Sequence, residues 1–545
     1  MINIIFIGIL SIAAFFRLVN LNFLPISLFG DEVDVGYHAW SLITTGKDYM
    51  GNFLPSYIHS LSEWRAPLLM YLTAPFVGIL GPTTFAVRLP VALLGVASVY
   101  LLFLLVKLFS KNNTLALLSA FVLAITPWHI HYSRASFEVV PLTFFLLLGT
   151  YLFVKQKYFT CLIPFILTFY TYSTANVFTP LFIIGLLLIY RPALNLKKNW
   201  ARLIIPTLIV LPMVYNVLFG QAANRFGLIS VFSDQKIIDE LIIKRTDPWI
   251  KASLIETVFH NKYAAFATAI GSNYITALSP QFLFLKGDPF FRHSISEQGE
   301  LLWIFLPFFL LGLFTLLKNI SEKHNKLIIL WMFLSPFPSS LTQGGGDHAT
   351  RLFLMVPPLV IITGLGFGEL ISKIKFKKIF ISIIGSLFLF SFANYFHQYS
   401  IHYKYDSAQF WDFGYESIFT QLKPQLANAK NIYINNTYKP SLLRFAFYTK
   451  YPPAKFQKDF QGDNQESYKG KYFTGFRFGD NYYFGQAGNL DDLQKLLQPG
   501  DIYLAAQMKE IPGDWDWSKD PPSMFKTVGF TKDILGKPLF TIIKL

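Results

Sequence analysis

Residues 84–107 read TFAVRLPVALLGVASVYLLFLLVK, with charge only at Arg88 and Lys107. A helix that crosses the hydrocarbon core of a bilayer needs roughly 20 mostly apolar residues, and this run is long enough. Ten more apolar runs lie near 2–21, 113–128, 137–154, 158–174, 176–190, 202–219, 300–317, 327–341, 351–370 and 379–396. Those near 158–190 and 327–341 are short. The spacing predicts an α-helical polytopic membrane protein with about eleven transmembrane helices. Composition agrees. The 545 residues are 53% hydrophobic and 14% charged, against about 25% charged in soluble proteins. Residues 1–396 form this membrane domain, with long loops at 22–83 and 220–299. Residues 397–545 read as a soluble α/β domain.

Lys and Arg in short loops set orientation, because cytoplasmic loops hold them in excess. Alternate loops are basic: Lys107 and Lys111; Lys155 and Lys157; Arg191, Lys197, Lys198 and Arg202; Lys318, Lys323 and Lys326; Lys373, Lys375, Lys377 and Lys378. The N-terminus is therefore expected on the cytoplasmic side of the cell membrane. Loops 22–83 and 220–299 and the C-terminal domain are expected outside. Much of the net charge of +15 is topological, and no nucleic-acid partner is expected. Segment 1–21 lacks a basic n-region and a cleavage site, and reads as an uncleaved first helix. The one cysteine, Cys161, excludes a disulfide framework or a cysteine metal site within the chain.

Acids crowd just after the first span, in the stretch Gly30-Asp31-Glu32-Val33-Asp34-Val35-Gly36-Tyr37-His38. Residues 32–45 have helical spacing and stop at Gly46, with Asp31 as N-cap or first-turn residue. Asp34 and His38 share a face at i,i+4. Three readings compete. Asp31 caps the helix; Asp31, Asp34 and His38 hold a metal; or a carboxylate serves as general base. Acids at a lipid boundary are costly unless used or paired.

Cations recur at the predicted outer ends of the spans. Arg65 stands in Glu63-Trp64-Arg65-Ala66-Pro67, before an apolar stretch 68–80 that resembles an interfacial helix. Arg88 opens the second span. Arg134 lies in Thr126-Pro127-Trp128-His129-Ile130-His131-Tyr132-Ser133-Arg134. Arg292 lies in Lys286-Gly287-Asp288-Pro289-Phe290-Phe291-Arg292-His293, and Asp347, His348 and Arg351 follow a triple glycine at 344–346. Singly these are interfacial anchors. Together, on the side where basic residues are scarce, they call for an anionic partner, and phosphate is the natural one.

These residues resemble a known family. Asp31-Glu32 after span one, Phe85-Ala86-Val87-Arg88-Leu89-Pro90 with Gly95, Thr126 through Arg134, and His348 through Arg351 with Pro357-Pro358 are similar to C-type membrane glycosyltransferases of the protein O-mannosyltransferase and aminoarabinose-transferase superfamily (bacterial glycosyltransferase family 39). The resemblance covers the membrane part, and the C-terminal domain matches loosely. It implies a polyprenyl-phosphate-linked sugar donor, reaction on the outer face, inversion at the anomeric carbon, and Asp31 as base with Glu32 beside it. Arg65 lies near the place where the aminoarabinose transferases have a phosphate-binding lysine before a proline, with Ala66 intervening here. Arg65, Arg88, Arg134, Arg292, His348 and Arg351 become the donor-phosphate candidates, and Asp34, His38 and Asp347 the accessory ones. No metal ligand set and no cofactor are expected, though a divalent metal would be compatible with the chemistry.

That chemistry stands by itself. A sugar on a lipid phosphate already carries a good leaving group. Single displacement needs one base for the acceptor proton and cations for the developing phosphate charge. Hydrolytic glycosidases use a carboxylate pair instead. The acceptor would be a protein, a lipid or an envelope glycan, and the sugar a hexose or a pentose. The alternative from another class is a transporter or lipid flippase handling an anionic lipid-linked substrate; such folds usually show internal repeats and midplane sites, which this chain lacks. A membrane-anchored scaffold would not need the acids at 31–34.

Loop 220–299 reads as a lid over the donor or acceptor site, with amphipathic helices at Asp239–Arg245 and Trp249–Tyr263. In the C-terminal domain, strands are expected at 431–435, 472–478, 482–484, 501–506 and 539–544, and helices at 441–448 and 491–497. Trp515-Asp516-Trp517 and Tyr482-Tyr483-Phe484 are aromatic runs that would pack in a core or stack on sugar rings.

Overall fold

The computed structural model describes residues 2–545 apart from 62, 195–198, 221–226, 247–257, 375–376, 461 and 463–466. Every predicted span meets helix: Ile2–Leu18, Thr84–Ser110, Asn113–Ile125, Val139–Val154, Leu162–Phe169, Ala175–Tyr190, Ala201–Phe219, Leu306–Lys318, Lys323–Leu334, Val356–Lys373 and Lys377–His397. Among the described residues, three helical stretches are both long and apolar enough to cross a membrane by themselves: Thr84–Ser110, Ala201–Phe219 and Ala349–Lys373. The others are shorter or less uniformly apolar. Prolines interrupt several of them, among them Pro90, Pro180, Pro206 and Pro212. A proline inside a helix removes one backbone hydrogen bond and favours a kink.

The chain forms two compact units. One comprises 1–19, 63–68 and 91–403, and the other 20–62, 69–90 and 404–545. The first outer loop, read above with the membrane domain, is thus largely a part of the second unit. In the C-terminal region the boundary between the units falls at 403/404.

In the first unit, the Leu306–Lys318 and Val356–Lys373 helices meet through glycine. A Cβ on Gly312 would lie 1.9 Å from the Ile362 carbonyl oxygen, and one on Gly366 would lie 1.8 Å from that of Phe308. Small residues allow this backbone approach in membrane helices, and the Phe308 and Phe367 rings stack beside it at 3.7 Å. Gly366→Ala is therefore expected to destabilise the fold by ~1–3 kcal/mol or more through overpacking against backbone that cannot rotate away. Gly368, where a Cβ meets only Leu118 Cδ1 at 3.8 Å, tolerates alanine. Thermal unfolding of both variants in detergent checks this.

The 235–246 helix covers the predicted Asp239–Arg245 segment. The predicted helix at 249–263 falls largely outside the described residues, and a helix spans Lys262–Ala277.

The second unit holds a seven-stranded mixed sheet: β1 (Ile432–Asn435), β2 (Ser467–Lys469), β3 (Phe473–Phe478), β4 (Tyr482–Ala487), β5 (Ile502–Ala506), β6 (Lys526–Lys532) and β7 (Pro538–Lys544), in the order β2-β3-β4-β1-β5-β7-β6. β1 is parallel to both its neighbours, β4 and β5, and the other pairs are antiparallel. The five expected strands and the helices at Leu442–Thr449 and Leu490–Leu496 are present. Trp517 and Phe484 are core residues, and Tyr483 stacks on Tyr433 at 4.9 Å. Trp515 remains partly exposed and donates its indole N–H to the Asp520 carbonyl.

Candidate active site

The acidic stretch forms one helix, Gly30–Thr45, ended by Gly46 in the left-handed region at φ 71°. Asp31 and Glu32 lie in its first turn. Phe29 stands at the cap position and makes no side-chain capping bond. This helix is built into the second unit. A Cβ on Gly36 would come within 2.7 Å of both Phe447 and Val87. The Tyr37 hydroxyl donates to the Tyr451 carbonyl at 2.7 Å. The Gln457 amide donates to Ser41 Oγ, Thr45 Oγ1 and the Asp48 carbonyl. At the N-terminal end, the Arg444 guanidinium is paired with Asp412 and lies where a Gly30 side chain would go, 2.9 Å from a Cβ there.

The three acids have different environments. Glu32 is fully buried, and both its oxygens accept from Arg88, from Nε and Nη2 at 2.9 Å each. Arg88 also donates to the carbonyls of Leu21, Pro25 and Ser27, and it lies over the Trp411 ring at 5.7 Å. All five of its N–H donors are thereby engaged. Asp34 is also buried; it accepts from Tyr49 Oη at 2.7 Å and Ser60 Oγ at 2.6 Å, and its Oδ1 lies 3.7 Å from His38 Nε2. The His38 ring stacks on Tyr49 at 3.7 Å. Asp31 alone of the three is partly exposed.

Glu32 and Arg88, named above as catalytic and phosphate-binding candidates, thus hold each other and the loop before the helix. Asp34 and His38 belong to a buried network with Tyr49. Among the described residues, no group of three or more His, Cys, Asp or Glu is placed to hold a metal.

The first unit gathers the other cations. Arg134 donates to the carbonyls of Phe16 at 2.7 Å and Val19 at 2.8 Å. Beside it, fully buried Arg17 reaches the carbonyls of Leu123 and Ala124, at the C-terminal end of the Asn113–Ile125 helix, and His129 Nδ1 at 2.9 Å. A cation suits a helix C-terminus. The sequence reading missed Arg17, a single charged residue near the end of the first apolar run. Arg65 is paired with Glu63 at 2.6 Å and Glu138 at 3.5 Å.

Two further predicted segments converge. Asp288 Oδ2 accepts from the Ala349 amide at 2.9 Å, and its Oδ1 accepts from the Phe290 amide at 2.8 Å. This staple joins the loop bearing Arg292 to the loop bearing Asp347, His348 and Arg351. The His293 and His348 rings lie 5.0 Å apart, and Thr350 Oγ1 is 3.1 Å from His293 Nδ1. Arg351 donates to Thr342 Oγ1 at 2.7 Å and the Gln343 carbonyl at 2.9 Å. Burial, helped by Arg351, pushes the His348 imidazole down to about 3, so it is neutral near pH 7. Desolvation likewise holds His293 well below its ordinary value, and His348, Arg292, His131 and Arg351 add to the effect. Sequence reasoning missed Asp288, whose partner Ala349 lies far along the chain.

Burial also pushes the Asp288 carboxyl up to about 7, against the two amides that donate to it; Asp347 raises it further and Arg351 lowers it. An acid raised in the folded state binds its proton more tightly there than when unfolded. Its contribution to stability is full below pH ~4 and fades as the pH rises through ~7. Asp288→Asn is expected to flatten the fall in melting temperature between pH 5 and 8, measured by thermal unfolding in detergent.

Apolar helices around a buried polar cluster, followed by a mixed-sheet domain, give the fold of the C-type membrane glycosyltransferases. Residues 7–221 match the dolichyl-phosphate-mannose-protein mannosyltransferase family. The structure is similar to ArnT from Cupriavidus metallidurans bound to undecaprenyl phosphate, with TM-score 0.51 and 12% identity, over 99% of this chain and 97% of that one. It is also similar to the archaeal oligosaccharyltransferase AglB from Archaeoglobus fulgidus, in complex with an inhibitory peptide and a dolichol-phosphate, with TM-score 0.47 and 13% identity over 82% of this chain. The chain spans 63% of the length of that oligosaccharyltransferase. No curated protein matches the sequence.

Proposed function

We propose that the protein is an integral-membrane inverting glycosyltransferase that moves a sugar from a polyprenyl-phosphate donor to an acceptor on the outer face of the cell membrane. The observation that carries this reading is the division of labour among the acids at 31–34. Glu32 and Asp34 are buried in bonded networks, and Asp31 is the partly exposed one. The family match over 7–221 supports the same class.

In this mechanism the Asp31 carboxylate takes the proton of the acceptor hydroxyl. The acceptor oxygen attacks the anomeric carbon as its bond to the phosphate oxygen breaks, and polyprenyl phosphate leaves with the electron pair. The developing phosphate charge needs cations; in the first unit Arg134, Arg292 and Arg351 are the candidates for it, with neutral His348 as a hydrogen-bonding partner. The leaving phosphate needs no protein acid. An apolar groove of about 530 Å³, lined by Ile12, Phe16, Phe121, Phe388 and Phe392, suits a polyprenyl chain, and the Phe16 carbonyl is held by Arg134. The N-terminus is cytoplasmic and the sheet domain extracytoplasmic in this reading, and the acceptor is a protein, a lipid or a glycan.

Stereochemistry tests the proposal. Proton NMR of the first product formed from a polyprenyl-phosphate sugar of known anomer should show the opposite configuration. Retention would refute single displacement.

A further inference from the structure

β6 is one of the two edge strands of the sheet, and it is irregular. Its register against β7 shifts between Thr527 and Gly529 and again between Thr531 and Lys532. Successive side chains of a regular strand point to opposite faces. Here the consecutive residues Phe530, Thr531 and Lys532 all line one groove of about 500 Å³, within the usual range for small-molecule sites. Bulges re-aim side chains in this way and are frequent beside functional sites. Phe413, Glu416 and Ser27 line the same groove.

Two details of the groove call for a partner. Thr531 is 6% exposed, and its Oγ1 has no hydrogen-bond partner in the protein. A buried hydroxyl left unsatisfied is costly. The Phe530 ring stays 43% exposed, although its backbone is fixed on both sides: Gln421 Nε2 donates to the Phe530 carbonyl at 3.0 Å, and Gln421 Oε1 accepts from the Phe530 amide at 3.1 Å. The same contact decides against a peptide. An extended peptide adds to a sheet edge through backbone hydrogen bonds, and Gln421 already occupies those of Phe530.

We propose that this groove is an acceptor-glycan subsite, in which the rings of Phe413 and Phe530 take the faces of a sugar and Glu416, Thr531 and Lys532 bond its hydroxyls. The proposal rests on the transferase reading and narrows its acceptor to a carbohydrate. An aromatic platform with an acid, a cation and a hydroxyl matches a polyhydroxylated ring better than a lipid tail. Position supports the role. Ser27 precedes Asp31 by four residues, and its carbonyl is held by the same Arg88 that holds Glu32.

The test uses the full chain in nanodiscs on an array of soluble glycans and peptides, with hydrolysis of a polyprenyl-phosphate sugar followed in parallel. Wild type should be retained by at least one glycan. Phe530→Ala and Glu416→Gln should lower that retention about tenfold or more while donor hydrolysis stays within about twofold of wild type. Thr531→Val, which keeps the shape, should show the same loss if Phe530→Ala fails to fold. Absence of glycan retention by folded wild type, equal retention by the variants, or retention by peptides alone would overturn the subsite. Failure of the transferase reading registers separately, as absence of donor hydrolysis by wild type.

Discussion

Asp31→Asn is expected to yield a folded protein whose sugar transfer is slower by roughly 10²–10⁴-fold, the usual worth of a general base. The amide keeps the size of the carboxylate but cannot take a proton. Asp31 is in the first helical turn and partly exposed, so the exchange leaves the core packing alone, and the melting temperature should move little. Asp34→Asn should behave in the opposite way. Asp34 is buried and accepts from Tyr49 and Ser60, so its amide would set an N–H against one of two hydroxyl donors. Stability should fall, while the activity of the molecules that remain folded should stay closer to wild type. Paired measurement of melting temperature and initial rate for the two variants separates base from scaffold. If Asp34→Asn were the inactive, stable one, the base would be misassigned.

Arg88→Met is the substitution expected to harm stability most. It would leave the Glu32 carboxylate, which is 0% exposed, without its bidentate partner. It would also release the carbonyls of Leu21, Pro25 and Ser27. Breaking a buried ion pair by removing one partner costs about 3–5 kcal/mol, a large share of the ~5–15 kcal/mol that holds a typical domain. Replacing both partners with apolar residues is much milder in general, so the double variant Arg88→Met/Glu32→Met should recover part of the loss. Recovery should be incomplete, because the three carbonyls remain unpaired. Thermal unfolding of wild type, the single variant and the double variant gives the comparison. A single variant as stable as wild type would show that Arg88 is not the clamp its geometry describes.

The sequence made some of this legible and hid the rest for physical reasons. Membrane helices are a local property of run length, so each predicted span met a helix. The 30–45 helix was equally local: its spacing and Gly46 set both ends. Arg88 was harder. An arginine at the start of an apolar span reads the same whether it snorkels, binds phosphate or closes an ion pair, and Glu32 lies 56 positions away. The union of the acidic helix with the C-terminal chain was out of reach altogether, since Tyr37 meets Tyr451 and Ser41 meets Gln457 across more than 400 residues. β6 escaped because Gly529 and the lysines at its two ends weaken the strand pattern, and because its bulges break the alternation by which a strand is recognised. The Pro453–Asp459 helix escaped too. Its opening proline looks like a breaker, yet proline suits the first helical position.

In the proposed reaction the bond between a sugar and a polyprenyl phosphate breaks. The most direct measurement is release of polyprenyl phosphate from a panel of labelled polyprenyl-phosphate hexoses and pentoses by purified protein in nanodiscs. Cleavage of at least one donor by wild type, lost in Asp31→Asn, is the predicted result. A well-folded wild type that leaves the whole panel intact would refute the transferase proposal.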